Sequence, residues 1–85
     1  MVFKGTVIHA KDKPFALVWA NYEELRNERS RTAFLTLCKP YFPNLPIILV
    51  SEDGEHESIY FGDTHLINWL ENQKSLSIKW QEYGI

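Results

Sequence analysis

The stretch from residue 46 to residue 70 constrains this chain most, because several independent local signals agree there. Pro46 opens the apolar run Ile47-Ile48-Leu49-Val50, Glu52-Asp53-Gly54-Glu55 follows, and a second run ends at Tyr60-Phe61. An Asp-Gly pair between two apolar runs is a strong hairpin signal, since both central residues of such a turn need positive φ. Closed as a two-residue loop, it sets Glu52 opposite Glu55, Val50 opposite Glu57 and Ile48 opposite Ile59. Gly62-Asp63 then ends the strand, and Asp63 or Thr64 caps a helix. Leu66, Ile67, Trp69 and Leu70 share one broad face of that helix at three- and four-residue spacings.

The preceding half supplies a second unit. Residues 2–10 alternate loosely around Phe3, Val7 and Ile8 and read as a strand. A polar turn, Lys11-Asp12-Lys13-Pro14, leads to Phe15-Ala16-Leu17-Val18-Trp19-Ala20. That run is too short for a typical helix and is uniformly apolar, so it reads as a central strand covered on both faces. Asn21 with Glu24 three residues later has the spacing of a helix start. The helix is expected over 22–39, ending before Pro40. Its apolar residues cluster at Tyr22 and Leu25 and again from Ala33 to Cys38. A single helix is favoured over one that breaks near Ser30 and restarts with that residue as its cap.

Pro40, Pro43 and Pro46 make the following connection stiff, with Tyr41 and Phe42 folding back over the core. Near the end, Leu76-Ser77-Ile78-Lys79-Trp80 alternates and reads as a last, edge strand. The order is ββαββαβ: an α+β or mixed α/β domain, two helices on a mixed sheet of four or five strands. Between Ala20 and Pro46 lie 25 residues, room for one crossover helix. The strand at Ile47 should therefore run parallel to the one at Phe15.

Pro46, Asp53-Gly54, Gly62 and Trp69-Leu70 together resemble the C-terminal half of the thioredoxin-like fold. There a proline, often cis, opens a strand, an antiparallel strand and a Gly follow, and a helix closes the sheet. Leu17-Val18-Trp19-Ala20 before a helix is similar to the strand that leads into that family's active-site helix. Where the family places its Cys pair this chain has Asn21-Tyr22-Glu23-Glu24. The resemblance thus implies a domain that binds a thiol compound or peptide beside Pro46, without redox activity.

Composition narrows the function classes. The chain has 85 residues, enough for one domain over 1–85, with 45% hydrophobic and 14% aromatic residues for a single core. A net charge of −2 gives no general attraction to nucleic acid or anionic lipid. One Cys excludes an internal disulfide and a multi-Cys zinc site. The first residues carry no secretory h-region, and no apolar run approaches the roughly 20 residues of a membrane span, so a cytoplasmic protein is expected.

No catalytic constellation emerges. Cys38 falls at the C-terminal end of its helix, where the dipole disfavours a thiolate, and reads as a buried structural thiol. His9, His56 and His65 lack the spacing of helical metal ligands, and neither a metal nor a cofactor is expected. Arg26, Arg29 and Arg31 give the first helix a basic stretch that Glu23, Glu24 and Glu28 interleave, with Glu23–Arg26 and Glu28–Arg31 three apart. Trp19, Trp69, Trp80, Tyr41, Phe42, Tyr60 and Tyr83 are many for so small a core, and partly exposed Trp and Tyr suit interfaces. The expectation is a non-catalytic protein–protein interaction or regulatory domain, self-association through an edge strand or aromatic patch included. Its face would comprise Arg26, Arg29, Arg31, Trp80 and Tyr83. Nucleic-acid binding through the three arginines is disfavoured, because no aromatics interleave with them.

Overall fold

The computed structural model describes residues 2–10, 13–51, 58–73 and 78–84. Along the chain come β1 (Val2–Ala10), β2 (Lys13–Trp19), α1 (Tyr22–Arg26), α2 (Glu28–Cys38), a 3-10 turn (Lys39–Tyr41), β3 (Ile47–Ser51), β4 (Ile59–Phe61), α3 (Thr64–Glu71) and β5 (Gln81–Gly84). The five strands form one mixed sheet in the order β4-β3-β2-β1-β5. Only β2 and β3 are parallel, Ala16 pairing with Ile47 through Trp19 with Val50. The α+β class, the ββαββαβ order and the central place of β2 are as the sequence predicts.

Strand period places two cores on the two faces of the sheet. Phe3, Ala16, Val18 and Leu49 meet Leu25, Phe34, Cys38 and Phe42 from the α1–α2 side. Ile8, Phe15, Leu17, Ile48 and Val50 meet Leu70 of α3, with Leu66, Ile67 and Trp69 packed around it. The helices therefore lie on opposite faces, and the middle of β2 is sealed between them, Phe15 to Val18 being 0% exposed. Among the described residues, no helix is long and apolar enough to cross a membrane.

Several local expectations change. The first helix is two helices, broken at Asn27 rather than continuous or broken at Ser30. Asn27 is extended (φ −99°, ψ 117°) and its side-chain oxygen accepts the Ser30 N–H at 3.0 Å, so Ser30 is the capped residue, not the cap. A short acceptor side chain offers the backbone an alternative to continuing the helix. Asn21 caps α1 as its spacing predicts, accepting the Glu24 N–H at 2.8 Å.

The β1–β2 hairpin is tighter than the four-residue turn expected, because Ala10 already pairs with Lys13 and Pro14 lies within β2 opposite His9. Proline is tolerated there because β3 joins β2 only from Ala16 onward, so no ladder bond on that side is lost. In the β3–β4 pair the Asp53-Gly54 turn lies outside the described residues, but the register is given: Ser51 with Ile59, Val50 with Tyr60, Leu49 with Phe61. Ile59 thus faces Ser51 instead of Ile48. The displacement is odd, so it turns Ile59 and Phe61 to the α2 side and Tyr60 to the α3 side.

The last described strand is β5 at Gln81–Gly84; of the strand expected over 76–80, residues 76 and 77 lie outside the described residues and 78–80 are not in a strand. Ile78 and Trp80 do alternate with exposed Lys79, but they pack against the α3-side core without joining a strand. What fixes β5 is Tyr83, paired with Phe3 and stacked on it at 5.0 Å and 14°. Aromatic cross-strand pairs of this kind stabilise a sheet edge. Tyr41 adds a T-shaped contact to Phe3, and its O–H donates to the Gly84 carbonyl. Phe42 is buried as expected and Tyr41 is half-covered.

The Leu45–Pro46 peptide is trans, and β3 runs parallel to β2. In the thioredoxin-like fold the strand after the proline lies antiparallel to that neighbour.

Candidate functional site

A groove of about 440 Å³ lies between α2 and the end of the sheet where β3 starts and β4 stops. Leu35, Phe42, Leu45, Pro46, Ile47 and Phe61 give it hydrocarbon and aromatic walls, with Lys39 and Asn44 as its polar members. Each wall has a local cause. Leu35 sits on the sheet-facing side of α2, packed against the α2-side core. Asn44 turns the proline-rich connection with φ of 65°, a left-handed geometry that Asn tolerates. That turn brings Leu45 and Pro46 back beside Ile47. Gly62 closes the far end with φ of +146°, and a Cβ there would stand 2.5 Å from Ile48 Cδ1 and 3.1 Å from the Ile47 carbonyl oxygen. Only glycine lets the chain leave β4 so close to β3.

The groove opens onto the free side of β4. Among the described residues no strand lies beyond β4, and a sheet edge is a place where a further strand can add. Phe61 and Ile59, both on the α2 side, are each 38% exposed, high for large apolar side chains at a sheet edge.

Arg31 lies beside the groove through its contact with Phe61. Its guanidinium lies over the Phe61 ring, 3.9 Å from the centroid, and its Nη1 donates to the Leu25 carbonyl at 3.0 Å. Arginine stacks well on an aromatic face while its edge donors stay available. Its Nε is buried and has no hydrogen-bond partner among the described residues. The expected Glu28–Arg31 pairing thus gives way to the Phe61 ring and the Leu25 carbonyl. Glu23 and Arg26 do pair, at 3.9 Å and in solvent.

The residues singled out from the sequence are not brought together as one face. Arg26 and Arg29 flank a broad polar depression at the α1–α2 break, with Asn27, Glu28, Thr32 and Ala33. Its lining side chains are all exposed. Trp80 is half-buried against the α3-side core and Tyr83 against the α2-side core, so the sheet separates them. Phe61, Leu35, Leu45 and Lys39 carry the groove and had no motif to mark them. The one available signal was the spacing of Arg31, Leu35 and Lys39, four apart along one helix face.

Cys38 is buried under α2, and burial, with the Glu24 carboxylate near it, pushes its thiol up to about 11. It stays a protonated packing residue and lies outside the groove. His9 and His65 are exposed on separate elements, and His56 lies outside the described residues. Asp63 is engaged in capping α3, accepting the His65 N–H at 2.8 Å and the Leu66 N–H at 3.3 Å.

Comparison with protein-family models, with curated proteins and with solved structures finds no match to this chain.

Proposed function

We propose that this chain is a non-catalytic docking domain that takes an extended segment of a protein partner into the groove between α2 and the β3–β4 edge. The observation that carries this reading is the conjunction at Phe61: a half-exposed aromatic on an open strand edge, beside an apolar groove. Edge backbone supplies hydrogen bonds to an added strand, and side-chain pockets supply selectivity. A free, buried Cys38 suits a reducing cytoplasmic setting.

Panning a random-peptide library against the folded domain tests the reading. Selected peptides should bind the wild type and shift the amide resonances of Ile59, Tyr60, Phe61 and Gly62. They should lose about tenfold or more in affinity for Phe61→Ser, a change at a half-exposed position, with the fold of the variant checked by its amide spectrum. Peptides that bind Phe61→Ser as well as the wild type would overturn the site.

A further inference from the structure

Taking that docking reading as its basis, we infer that the segment accepted by the groove is acidic: two carboxylate side chains four residues apart, with one apolar side chain midway between them. Three residues along α2 form a line. Arg31, Leu35 and Lys39 follow at steps of four, so they lie one above another along a single helix face. Leu35 and Lys39 line the groove, and Arg31 covers Phe61, which lines it too. The helical geometry extends through Lys39, whose φ of −52° and ψ of −41° continue α2.

This line makes a ruler. Eight residues at a rise of about 1.5 Å set the Cα atoms of Arg31 and Lys39 about 12 Å apart along the helix axis. In an extended peptide, residues four apart point to the same side and lie about 13 Å apart. The residue midway points the same way and meets Leu35, Ile47 and Phe61. An Asp/Glu-x-apolar-x-Asp/Glu segment therefore matches the groove in spacing, side and charge together.

Charge accounting supports an acidic occupant. Among the described residues no carboxylate lines the groove. Glu28, one turn ahead of Arg31 on α2, is exposed, and the ion pair at this end of the helices joins Glu23 to Arg26 instead. Arg31 is held in place by the Leu25 carbonyl through one nitrogen and by the Phe61 face. Among the described residues that is one hydrogen bond for a group with five N–H donors. A guanidinium oriented in this way is prepared for a carboxylate, because little side-chain freedom is left to lose on binding.

Three short synthetic peptides of one apolar pattern decide the matter, with Asp, Asn or Lys at both flanking positions. Binding is read by fluorescence anisotropy, and location by amide chemical-shift mapping. The Asp peptide should bind about three- to tenfold more tightly than the Asn peptide, an advantage that shrinks as salt is raised, and the Lys peptide should bind least. Lys39→Glu, at an exposed position, should narrow the Asp–Asn gap and improve the Lys peptide. If the Asn peptide binds within about twofold of the Asp peptide, with shifts at Phe61 and Gly62, the acidic preference is overturned while docking stands. If none of the three shifts those amides at about 1 mM, the docking reading falls and the acidic preference with it. Shifts at Arg26 and Arg29 without shifts at Phe61 would likewise overturn the assignment.

Discussion

At Cys38 the surroundings decide the chemistry. The thiol has moved from an ordinary value near 9 to about 11 by burial and, after it, by the Glu24 charge. Between those values the unfolded chain has released its proton and the folded chain has not, so the unfolded state binds fewer protons and stability falls as pH rises. The contribution is complete below about pH 9 and is lost through about pH 11. Urea unfolding followed from pH 8 upward, in the wild type and in Cys38→Ala, isolates this loss from tyrosine titration: the wild type should decline more steeply. In the native state a thiol reagent should react with Cys38 only at the rate of unfolding. This much was legible in the sequence, because a thiol beside Phe34, Leu35 and Leu37 at a helix end belongs to a core. The caps at Asn21 and Asp63 were legible for a similar reason: both act within three residues, on backbone groups that any helix start leaves open.

Elements were legible where one force dominates and obscure where two compete. Uniform apolar runs such as 15–18 and 47–50 have a single outcome, burial on both faces. Asn27 shows competition: its neighbours favour a continuing helix, while its side chain favours capping the next one, and tertiary packing decides for the cap. Breaking there lets Leu25 and Phe34 both reach the α2-side core. The expected outcome for Asn27→Ala is a destabilisation of about 1 kcal/mol in urea unfolding. A continuous helix would instead gain from alanine at that position, so the sign of the change tests the break. At β5 the alternation of Ile78 and Trp80 reported burial without pairing, and the Phe3–Tyr83 stack pulled the strand further along the chain. The β4 register depended on the length of the connection before it, which a local turn signal does not measure.

For the whole molecule, the order β4-β3-β2-β1-β5 leaves β4 as an exposed margin of only three residues. A strand so short supports a docked segment with its own side-chain anchors, but too little surface for a permanent pair of copies, which needs an interface on the order of 1,000 Å² or more. Light scattering across a concentration series should therefore give the monomer mass at about 10 μM, with dimer appearing only towards about 1 mM. Ile59→Lys should remove that rise. A dimer at low concentration that persists in Ile59→Lys would locate self-association elsewhere. The groove beside β4 was the least legible part of the molecule. Its walls come from α2, the proline-rich connection, β3 and the end of β4, and only folding makes them neighbours.

The pairing of β1 with β5 has a mechanical consequence. Val2 stands directly across from Gly84, so the chain enters and leaves the sheet at one point, on neighbouring antiparallel strands. A pull on the two ends meets the ladder from its open end and loads its hydrogen bonds one after another rather than all at once. β5 would peel away from Gly84 towards Gln81 before the central strand β2 bore any force, and the Tyr83–Phe3 stack and the Tyr41 hydroxyl would be the first latches to give. Under tension the domain behaves as a zipper, with its weakest tooth at the point of attachment.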